Sequence, residues 1–369
     1  MYWLTAILIL PYFFIFMRVW RSLQRIKFFN SSGGQIHYIS VLIPCKNESQ
    51  NLPFLLNNLA LQDYPPDSFE VIIIDDNSTD RTFEVASDYK KIKNLSVIKN
   101  KGRGKKAAIR TGVTFSSGKL ILTTDADCKP GGKWLKTIGT FYTDNIPDMI
   151  ICPVQLENKK GIFYRFQEIE FLSLQGVTAG FANTGNAIMC NGANLSFTKE
   201  AYSRHNGNLH DDIPSGDDIF LLHSLKKDPI SKVLWLESAD ALAIAASSTG
   251  IKQFFKQRNR WISKSKAYND RATIIAGLVT FLANITILSL ITAAIFKSEF
   301  IQVLVFAFII KAIPDFLILY NTTARYNRKP LMKWFLPSEI IYPFYVLGVC
   351  LCALLSEYKT TNSPFQKEI

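Results

Sequence analysis

Hydrophobic and polar positions alternate with two different periods between residues 38 and 245. Short runs rich in β-branched residues predict strands at Ile39–Ile43, Glu70–Ile74, Leu95–Ile98, Lys119–Thr123 and Met149–Val154. Amphipathic runs predict intervening helices at Asn51–Leu61, Asp80–Lys91, Lys105–Phe115 and Gly132–Tyr142. Because strands that alternate with helices pair mainly in parallel, we expect an α/β domain with a mostly parallel sheet flanked by helices.

Four apolar stretches flank this region and predict transmembrane helices. Ile274–Phe296 holds 23 residues without a charge, enough to cross a hydrocarbon core of about 30 Å. The other three stretches are Met1–Met17, Phe300–Tyr320 and Phe335–Ser356. Lys311 and Asp315 interrupt the stretch Phe300–Tyr320, and their spacing places them on one helix face. They are either a structural ion pair or part of a functional site within the membrane.

The N-terminal stretch has the residue order of a retained membrane anchor. A removable signal peptide would begin with basic residues and end at a cleavage site of small residues. Here the apolar run comes first, and Arg18, Arg21, Arg25 and Lys27 follow it. We therefore expect an anchor whose basic flank lies in the cytoplasm.

Charge supports one membrane topology. Lys and Arg total 42 against 30 Asp and Glu, so the formal net charge is +12. The predicted 321–334 loop carries four basic residues and no acid, which places it in the cytoplasm by the positive-inside rule. Residues 22–272 are then cytoplasmic as well, in a multi-pass protein that we assign to a bacterial inner membrane.

The six cysteines have no CxxC spacing and are expected to be reduced thiols.

Polar residues follow three of the predicted strands. These segments are Pro44-Cys45-Lys46-Asn47-Glu48, Asp75-Asp76-Asn77-Ser78-Thr79-Asp80 and Asp125-Ala126-Asp127. Ligands of open α/β sheets bind beyond the carboxyl ends of the strands, so we expect the site there. The absence of GxGxxG after the first strand and of GxxxxGK[ST] anywhere argues against dinucleotide and P-loop sites. The basic glycine turn Gly102–Lys106 is a weak phosphate signal.

Asp125 and Asp127 are candidate metal ligands. They are two residues apart at a predicted strand end, where extended backbone would point both side chains the same way. Carboxylate pairs suit Mg²⁺ or Mn²⁺ that also binds phosphate oxygens. The alternative is an ordinary solvated turn, because two acids at this spacing are common.

Five segments resemble, in the same order, the motifs of family 2 inverting glycosyltransferases. They are SVLIPCKNE at 40–48, like the opening strand; VIIIDDNSTDRT at 71–82, like the nucleotide-binding turn; TDAD at 124–127, like the metal-binding aspartates; SGDDIFL at 215–221, like the acidic pair; and QRNRW at 257–261, like the QxxRW motif. One residue departs from the usual pattern: Asp217 stands where the family more often has Glu.

The resemblance implies a Rossmann-like GT-A fold, a nucleotide-diphosphate sugar donor and inversion at the anomeric carbon. It implies Mn²⁺ or Mg²⁺ bound by Asp125 and Asp127, and Asp218 as catalytic base with Asp217 beside it. The implied donor contacts are Pro44, Lys46, Glu48, Asp75, Asp76, Arg103, Lys105 and Asp125.

The implied contacts to the acceptor and the diphosphate lie later in the chain. They are Asn194, Gln257, Arg258, Arg260 and Trp261. Asn194 could equally be the satisfied side chain of a turn. The helix around Gln257 has an apolar stripe with lysines and arginines around it, so it could also lie on an anionic membrane surface.

Hydropathy and resemblance together divide the chain into five parts. They are an anchor at 1–20, a cytoplasmic glycosyltransferase domain at 38–245, an amphipathic interfacial segment at 246–270, three transmembrane helices at 273–356 and a tail at 357–369.

Three functions fit this organisation. The first is transfer of one sugar to a lipid or lipid-linked acceptor, and the second is processive polysaccharide synthesis. The third is a nucleotide-sugar-binding scaffold without catalysis. A nucleic-acid partner is not expected, and the sequence gives neither the donor sugar nor the oligomeric state.

Overall fold

The structure, a computed structural model, describes residues 2–31, 33–213 and 215–361. The chain folds into two compact units. The sheet unit comprises Arg21–Lys159 and Leu174–Ser247, and the helical unit comprises the remaining described residues.

The strands of the sheet unit are short, and their interiors are almost entirely apolar. They are β1 (Ile39–Cys45), β2 (Phe69–Asp75), β3 (Leu95–Lys99), β4 (Leu120–Thr123), β5 (Lys129–Pro130), β6 (Met149–Ile151), β7 (Val154–Leu156), β8 (Leu195–Thr198), β9 (Val233–Trp235) and β10 (Ala243–Ala245).

The helices range from one and a half turns to seven. They are α1 (Tyr2–Arg25), α2 (Leu52–Ala60), α3 (Thr82–Ser87), α4 (Gly104–Phe115), α5 (Trp134–Asn145), α6 (Ile162–Asn183), α7 (Lys199–His205), α8 (Asp217–Lys227), α9 (Ile251–Ile262), α10 (Arg271–Phe296), α11 (Phe300–Arg325) and α12 (Phe335–Thr361).

The main sheet is mixed but mostly parallel, which confirms the predicted fold class. Within the described part of the chain it has seven strands in the order β3-β2-β1-β4-β8-β6-β9. The first four are mutually parallel, and β8 is antiparallel to both β4 and β6. The strands β5, β10 and β7 form a second, smaller sheet. Val41, Leu42 and Ile43 have no exposed surface, as expected for a central strand covered on both faces.

The first four predicted strands and the four predicted helices are present within a few residues of their expected bounds. The fifth strand prediction, Met149–Val154, was wrong. That segment forms β6 and β7, which belong to different sheets. Pro153 separates them, and proline has no N–H with which to continue a ladder.

The register of the parallel strands brings their carboxyl ends to one edge. Cys45, the last residue of β1, is opposite Asp75 in β2, and Asp75 is opposite Lys99 at the end of β3. The loops that follow these strands therefore leave the sheet side by side, as the sequence predicted for the site.

Asn194 connects three parts of the sheet unit below this edge. Its amide nitrogen donates to the carbonyl oxygens of Pro153 and Ala241, at 2.7 and 2.8 Å. Its amide oxygen accepts from the indole N–H of Trp134, at 2.9 Å. Both side chains are fully buried, so this is a satisfied polar centre within the core.

The helical unit contains the four predicted apolar stretches as long helices, α1, α10, α11 and α12. Each is long and apolar enough to cross a membrane. α12 continues to Thr361, past the predicted start of the tail at residue 357, and residues 362–369 of that tail lie outside the described residues.

Three charged side chains of α11 and α12, those of Lys311, Asp315 and Glu339, form ion pairs. The Lys311 ammonium donates to Asp315 at 2.8 Å and to Glu339 at 2.5 Å. The Tyr12 hydroxyl donates to the other oxygen of Asp315. The spacing of Lys311 and Asp315 predicted their pairing, and the structure adds Glu339 and Tyr12, so the group joins α11 to α12 and α1.

We expect Gly118→Ala to destabilise the sheet unit. A methyl carbon at Gly118 would lie 2.7 Å from the Ser40 backbone nitrogen and 2.9 Å from the Tyr38 carbonyl oxygen, and the backbone cannot move aside cheaply. The loss should be about 1–3 kcal/mol, the usual cost of overpacking, measured by unfolding in detergent. The control is Gly131→Ala, where a methyl meets nothing within 4 Å. Equal stability of the two variants would contradict this packing.

Candidate active site

Hydrogen bonds join the loop after β1 to the loop after β2. The Asn47 backbone N–H donates to the Ser78 hydroxyl at 3.0 Å, and the Asn47 side-chain oxygen accepts from the Thr79 N–H at 2.8 Å. The Glu48 N–H donates to the Thr82 hydroxyl at 2.7 Å. Asn47 has φ +58°, a left-handed conformation that asparagine tolerates better than most residues. The two loops therefore form one rigid wall of the site.

Asp76 is fixed at the start of α4. Its Oδ2 accepts from the Gly104 N–H at 2.9 Å, and its Oδ1 accepts from the Asn100 amide at 2.7 Å. A carboxylate at a helix N-terminus is favoured by the free N–H groups and the helix dipole. The exposed Lys46 ammonium lies 3.9 Å from Asp76 Oδ2. The end of β2 and the first turn of α4 are thereby joined.

Lys105, one residue further along α4, lies between acidic groups from distant parts of the chain. Its ammonium forms an ion pair with Asp125, just past β4. A methyl carbon on Gly192 would lie 3.4 Å from both Lys105 Nζ and Asp218 Oδ2. Gly192 also donates its N–H to Asp218 Oδ2 at 3.1 Å. The structure thus brings Asp125 and Asp218 near one lysine, and their membership of a single site stays a prediction.

The charge of Lys105 is stabilised by these acids. Burial alone would lower the pKa of its ammonium, but Asp125, Asp217 and Asp218 together raise that pKa above its usual value. Lys105 is therefore a permanent cation in the acidic centre.

The environment of Asp127 disfavours its ionised form. Burial, and after it the charges of Asp125 and Glu48, raise the pKa of its carboxyl to about 6. The extended backbone predicted for this segment is absent: β4 ends at Thr123, and Ala126 and Asp127 form a turn closed by the Cys128 N–H on the Asp125 carbonyl. The turn keeps the two aspartates within electrostatic range.

The carboxylates of Asp125 and Asp127 suit a divalent cation whose remaining ligands come from a bound molecule and from water. Among the described residues, no three His, Cys, Asp or Glu side chains form a metal site by themselves. Asp125 and Asp127 supply two carboxylates, and Mg²⁺-type ions in phosphate-binding sites are commonly held by one or two carboxylates plus phosphate oxygens and water. Burial first, and then the charges of Asp125 and Glu48, disfavour the ionised form of Asp127 and raise its pKa, and a bound cation would favour that form.

The other predicted donor residues lie around the same edge. Asp75 is buried at the end of β2, and its Oδ1 accepts from the Ser78 N–H. Pro44 is partly buried within β1, and Arg103 is exposed on the turn before α4. Asp217 opens α8 next to Asp218.

Two predicted binding residues have side chains that are already engaged within the protein. Asn194 is fully buried with its amide bonded to three protein groups, which favours the structural interpretation that the sequence left open. The guanidinium of Arg258 is buried against Glu170. Both side chains already bind protein groups, and their contacts to a ligand stay predictions.

The four residues Gln257, Arg258, Arg260 and Trp261 belong to α9 in the helical unit. Gln257 and Trp261 are partly exposed, and Arg260 is exposed. The predicted apolar stripe of this helix is divided: Phe254 is buried among aromatic rings of the unit, whereas Ile251 is 64% exposed.

Sequence reasoning missed Asn100 and the structural role of Lys106. Asn100 follows β3 at the same edge as the other polar residues, so the strand-end rule could have found it. The buried Lys106 ammonium donates to the carbonyl oxygens of Leu209, His210 and Ile213. No local sequence pattern predicts a contact between residues more than 100 positions apart.

Comparison with known proteins identifies this region. The family model described as Glycosyl transferase family 2 matches residues 40–205, the segment that contains β1 to β4 and the paired aspartates. Residues 40–205 thus match glycosyl transferase family 2, and we call them the family 2 domain.

Curated relatives match part of the family 2 domain. Glycosyltransferase AglE of Haloferax volcanii is 37% identical over 101 residues, which cover 27% of this chain and 33% of the relative. Beta-monoglucosyldiacylglycerol synthase of a Nostoc species is 36% identical over 145 residues, which cover 38% of this chain and 31% of the relative. The chain thus spans about a third of the length of these relatives.

A solved structure has the same fold. Mannosyltransferase PcManGT from Pyrobaculum calidifontis, in complex with GDP-Man and Mn²⁺, superimposes with a TM-score of 0.60 at 19% identity. The match covers 95% of this chain and 96% of that one. It confirms the predicted GT-A-like fold of the family 2 domain.

Asp127→Asn should stabilise the protein in a pH-dependent way when a chelator removes divalent ions. The pKa of the folded-state carboxyl, about 6, lies above its ordinary 3.8, so the ionised form costs stability. That cost develops as the pH rises from about 4 to 6 and then stays level. The stability advantage of the variant should therefore grow by about 2 kcal/mol between pH 4.5 and 7.5.

The measurement is unfolding of both proteins across this pH range, with Asp144→Asn as control because Asp144 is exposed on α5. A difference for Asp127→Asn that does not change with pH would contradict the assigned environment.

Proposed function

We propose that the protein is an inverting glycosyltransferase that moves a sugar from a nucleotide-diphosphate sugar to a lipid or lipid-linked acceptor. The proposal rests on one observation above all. Asp125 and Asp218 are 93 positions apart in the sequence. Asp125 pairs with the Lys105 ammonium at the carboxyl edge of the sheet, and a methyl carbon on Gly192 would lie 3.4 Å from both that ammonium and Asp218 Oδ2. A family 2 domain with such a centre has the groups that displacement of a nucleoside diphosphate requires.

The donor nucleotide is assigned to the wall formed by the loops after β1 and β2. Asp75 and Asp76 are held in place there by backbone N–H groups, so their orientation precedes ligand binding. Arg103 and Lys105, at the start of α4, supply positive charge for a diphosphate, and a helix N-terminus favours the same anion. Positioning of the donor alone can lower the barrier by several kcal/mol.

The reaction is a direct displacement. The acceptor hydroxyl oxygen bonds to the anomeric carbon, the bond from that carbon to the diphosphate oxygen breaks, and the hydroxyl proton passes to the Asp218 carboxylate. Attack from the side opposite the leaving group inverts the anomeric configuration. Two N–H groups, of Gly192 and Ile219, fix the oxygens of Asp218, so the base has a defined orientation.

A divalent cation, Mn²⁺ or Mg²⁺, is proposed as the cofactor, with Asp125 and Asp127 as its protein ligands. When bound, it supplies Lewis-acid stabilisation of the charge that develops on the diphosphate. Lys105 pairs with Asp125 and would contribute a second, fixed positive charge to the same region.

A membrane acceptor is supported by the helical unit. Among the described residues, four helices are long and apolar enough to cross a membrane, and one relative is named for synthesis of a glycosylated diacylglycerol. We assign the family 2 domain to the cytoplasmic side, because the basic 321–334 loop predicts that topology. For the five parts of the chain we propose the same bounds as those predicted from the sequence.

Asp218→Asn should abolish sugar transfer while donor binding persists. The amide cannot accept the proton, and loss of a general base typically lowers turnover by about 10²–10⁴-fold. Release of nucleoside diphosphate measures turnover, and titration calorimetry with the donor measures binding. Asp212→Asn is the control, since Asp212 is exposed in the preceding loop. Loss of donor affinity with unchanged turnover per bound donor would contradict the role of Asp218.

A donor screen tests the proposal as a whole. Detergent-extracted protein is given UDP- and GDP-sugars with a lipid extract and Mn²⁺, and the lipid fraction is examined by mass spectrometry. A lipid heavier by one sugar supports the proposal, whereas a ladder of polymer lengths would favour a processive synthase. Donor binding without any product would indicate a scaffold.

A further inference from the structure

A buried ion pair links α9 to α6 in the helical unit. The Arg258 guanidinium donates to both carboxylate oxygens of Glu170, at 3.1 and 2.5 Å. Both side chains are only 4% exposed. The Tyr345 hydroxyl from α12 donates to the same carboxylate at 2.9 Å. A bidentate pair with an added hydrogen bond holds both partners in one geometry.

Arg258 also contacts the two neighbouring residues that the sequence singled out. Its Nη1 donates to the side-chain oxygen of Gln257. Its guanidinium carbon lies 4.3 Å from the ring centroid of Trp261, within the range of a cation–π contact. One side chain therefore fixes the rotamers of both Gln257 and Trp261 on the accessible part of α9.

We propose that Glu170 and Arg258 are positioning residues that hold Gln257 and Trp261 in the orientation that sugar transfer requires. The inference rests on the proposed function and on the prediction from the sequence that Gln257 and Trp261 contact the diphosphate and the acceptor sugar. It replaces the predicted role of Arg258 as a binding residue. Glu170, which the sequence did not single out, becomes part of the machinery.

The physical basis is the cost of breaking a buried pair. Without the Glu170 charge, the Arg258 cation is buried and uncompensated, so it must turn toward water or draw other groups to itself. Either movement releases Gln257 and removes the support beneath Trp261. A displacement of about 1 Å at a positioned group can cost up to about 10²-fold in rate.

The kinetic test compares Glu170→Gln with the wild type. We expect kcat for transfer to fall at least about tenfold, with donor KM within about threefold, since orientation is lost and ground-state binding to the family 2 domain is retained. Adding Glu170→Gln to the double variant Gln257→Ala, Trp261→Ala should cause no further loss, because its effect passes through those residues.

Glu168→Gln provides a matched control. Glu168 is an equally buried carboxylate on the same helix, but it pairs with Arg328 and Arg165 instead of Arg258. Thermal unfolding shows what each charge contributes to stability. If Glu168→Gln lowers kcat as much as Glu170→Gln, or if Glu170→Gln is fully additive with the double variant, the positioning role is wrong.

Trp261 fluorescence gives a readout that does not need activity. Glu170→Gln should change the emission spectrum of the intact protein in detergent when Trp261 is present, and should leave it unchanged in a Trp261→Phe background. An identical change in both backgrounds, or no change in either, would overturn the inference. If the spectral change depends on Trp261 while no donor is turned over by the wild type, the proposed function fails and the positioning stands.

Discussion

The candidate active site depends on the interaction of the Lys105 ammonium with its acidic neighbours. Asp125, Asp217 and Asp218 all act on this one cation, and they reach it from the end of β4 and the start of α8. Without a cation between them, these carboxylates would repel one another at close range. The lysine thereby allows an acidic centre to exist in the folded protein before any ligand arrives.

The residues of the first turn of α4 also bind the neighbouring segments of the site. Gly104 binds Asp76 through its N–H, Lys105 pairs with Asp125, and Lys106 binds three carbonyl oxygens of the loop that leads to α8. Three successive residues thus connect three separate segments of the site. This arrangement explains how loops from distant parts of the sequence keep a common geometry.

Much of the fold could be predicted because the information is local. Runs such as 71–74 are β-branched and apolar, and strands of this composition need no distant partner to be recognised. The strand-end rule then located Asp76, Asp125 and Asp127. The break at Pro153 was missed because the apolar run continues on both sides of it.

Other features depend on contacts that sequence spacing cannot reveal. The sequence left Asn194 open between a ligand contact and a satisfied side chain, because its partners Trp134, Pro153 and Ala241 are between 41 and 60 positions away. The guanidinium of Arg258 is a group that commonly binds phosphate. In this structure it is buried against Glu170, 88 positions earlier in the sequence. The motif alone therefore did not reveal the buried partner of Arg258.

The most direct test of this account is a double-mutant cycle between Lys105 and Asp218. Unfolding of the intact protein in detergent and chelator is measured for Lys105→Met, for Asp218→Asn and for both together. If the two side chains share one centre, Asp218→Asn should destabilise the protein less when Lys105 is replaced, with a coupling of at least about 0.5 kcal/mol. Effects that add without coupling would show that the two residues do not meet, and the proposed active site would not exist.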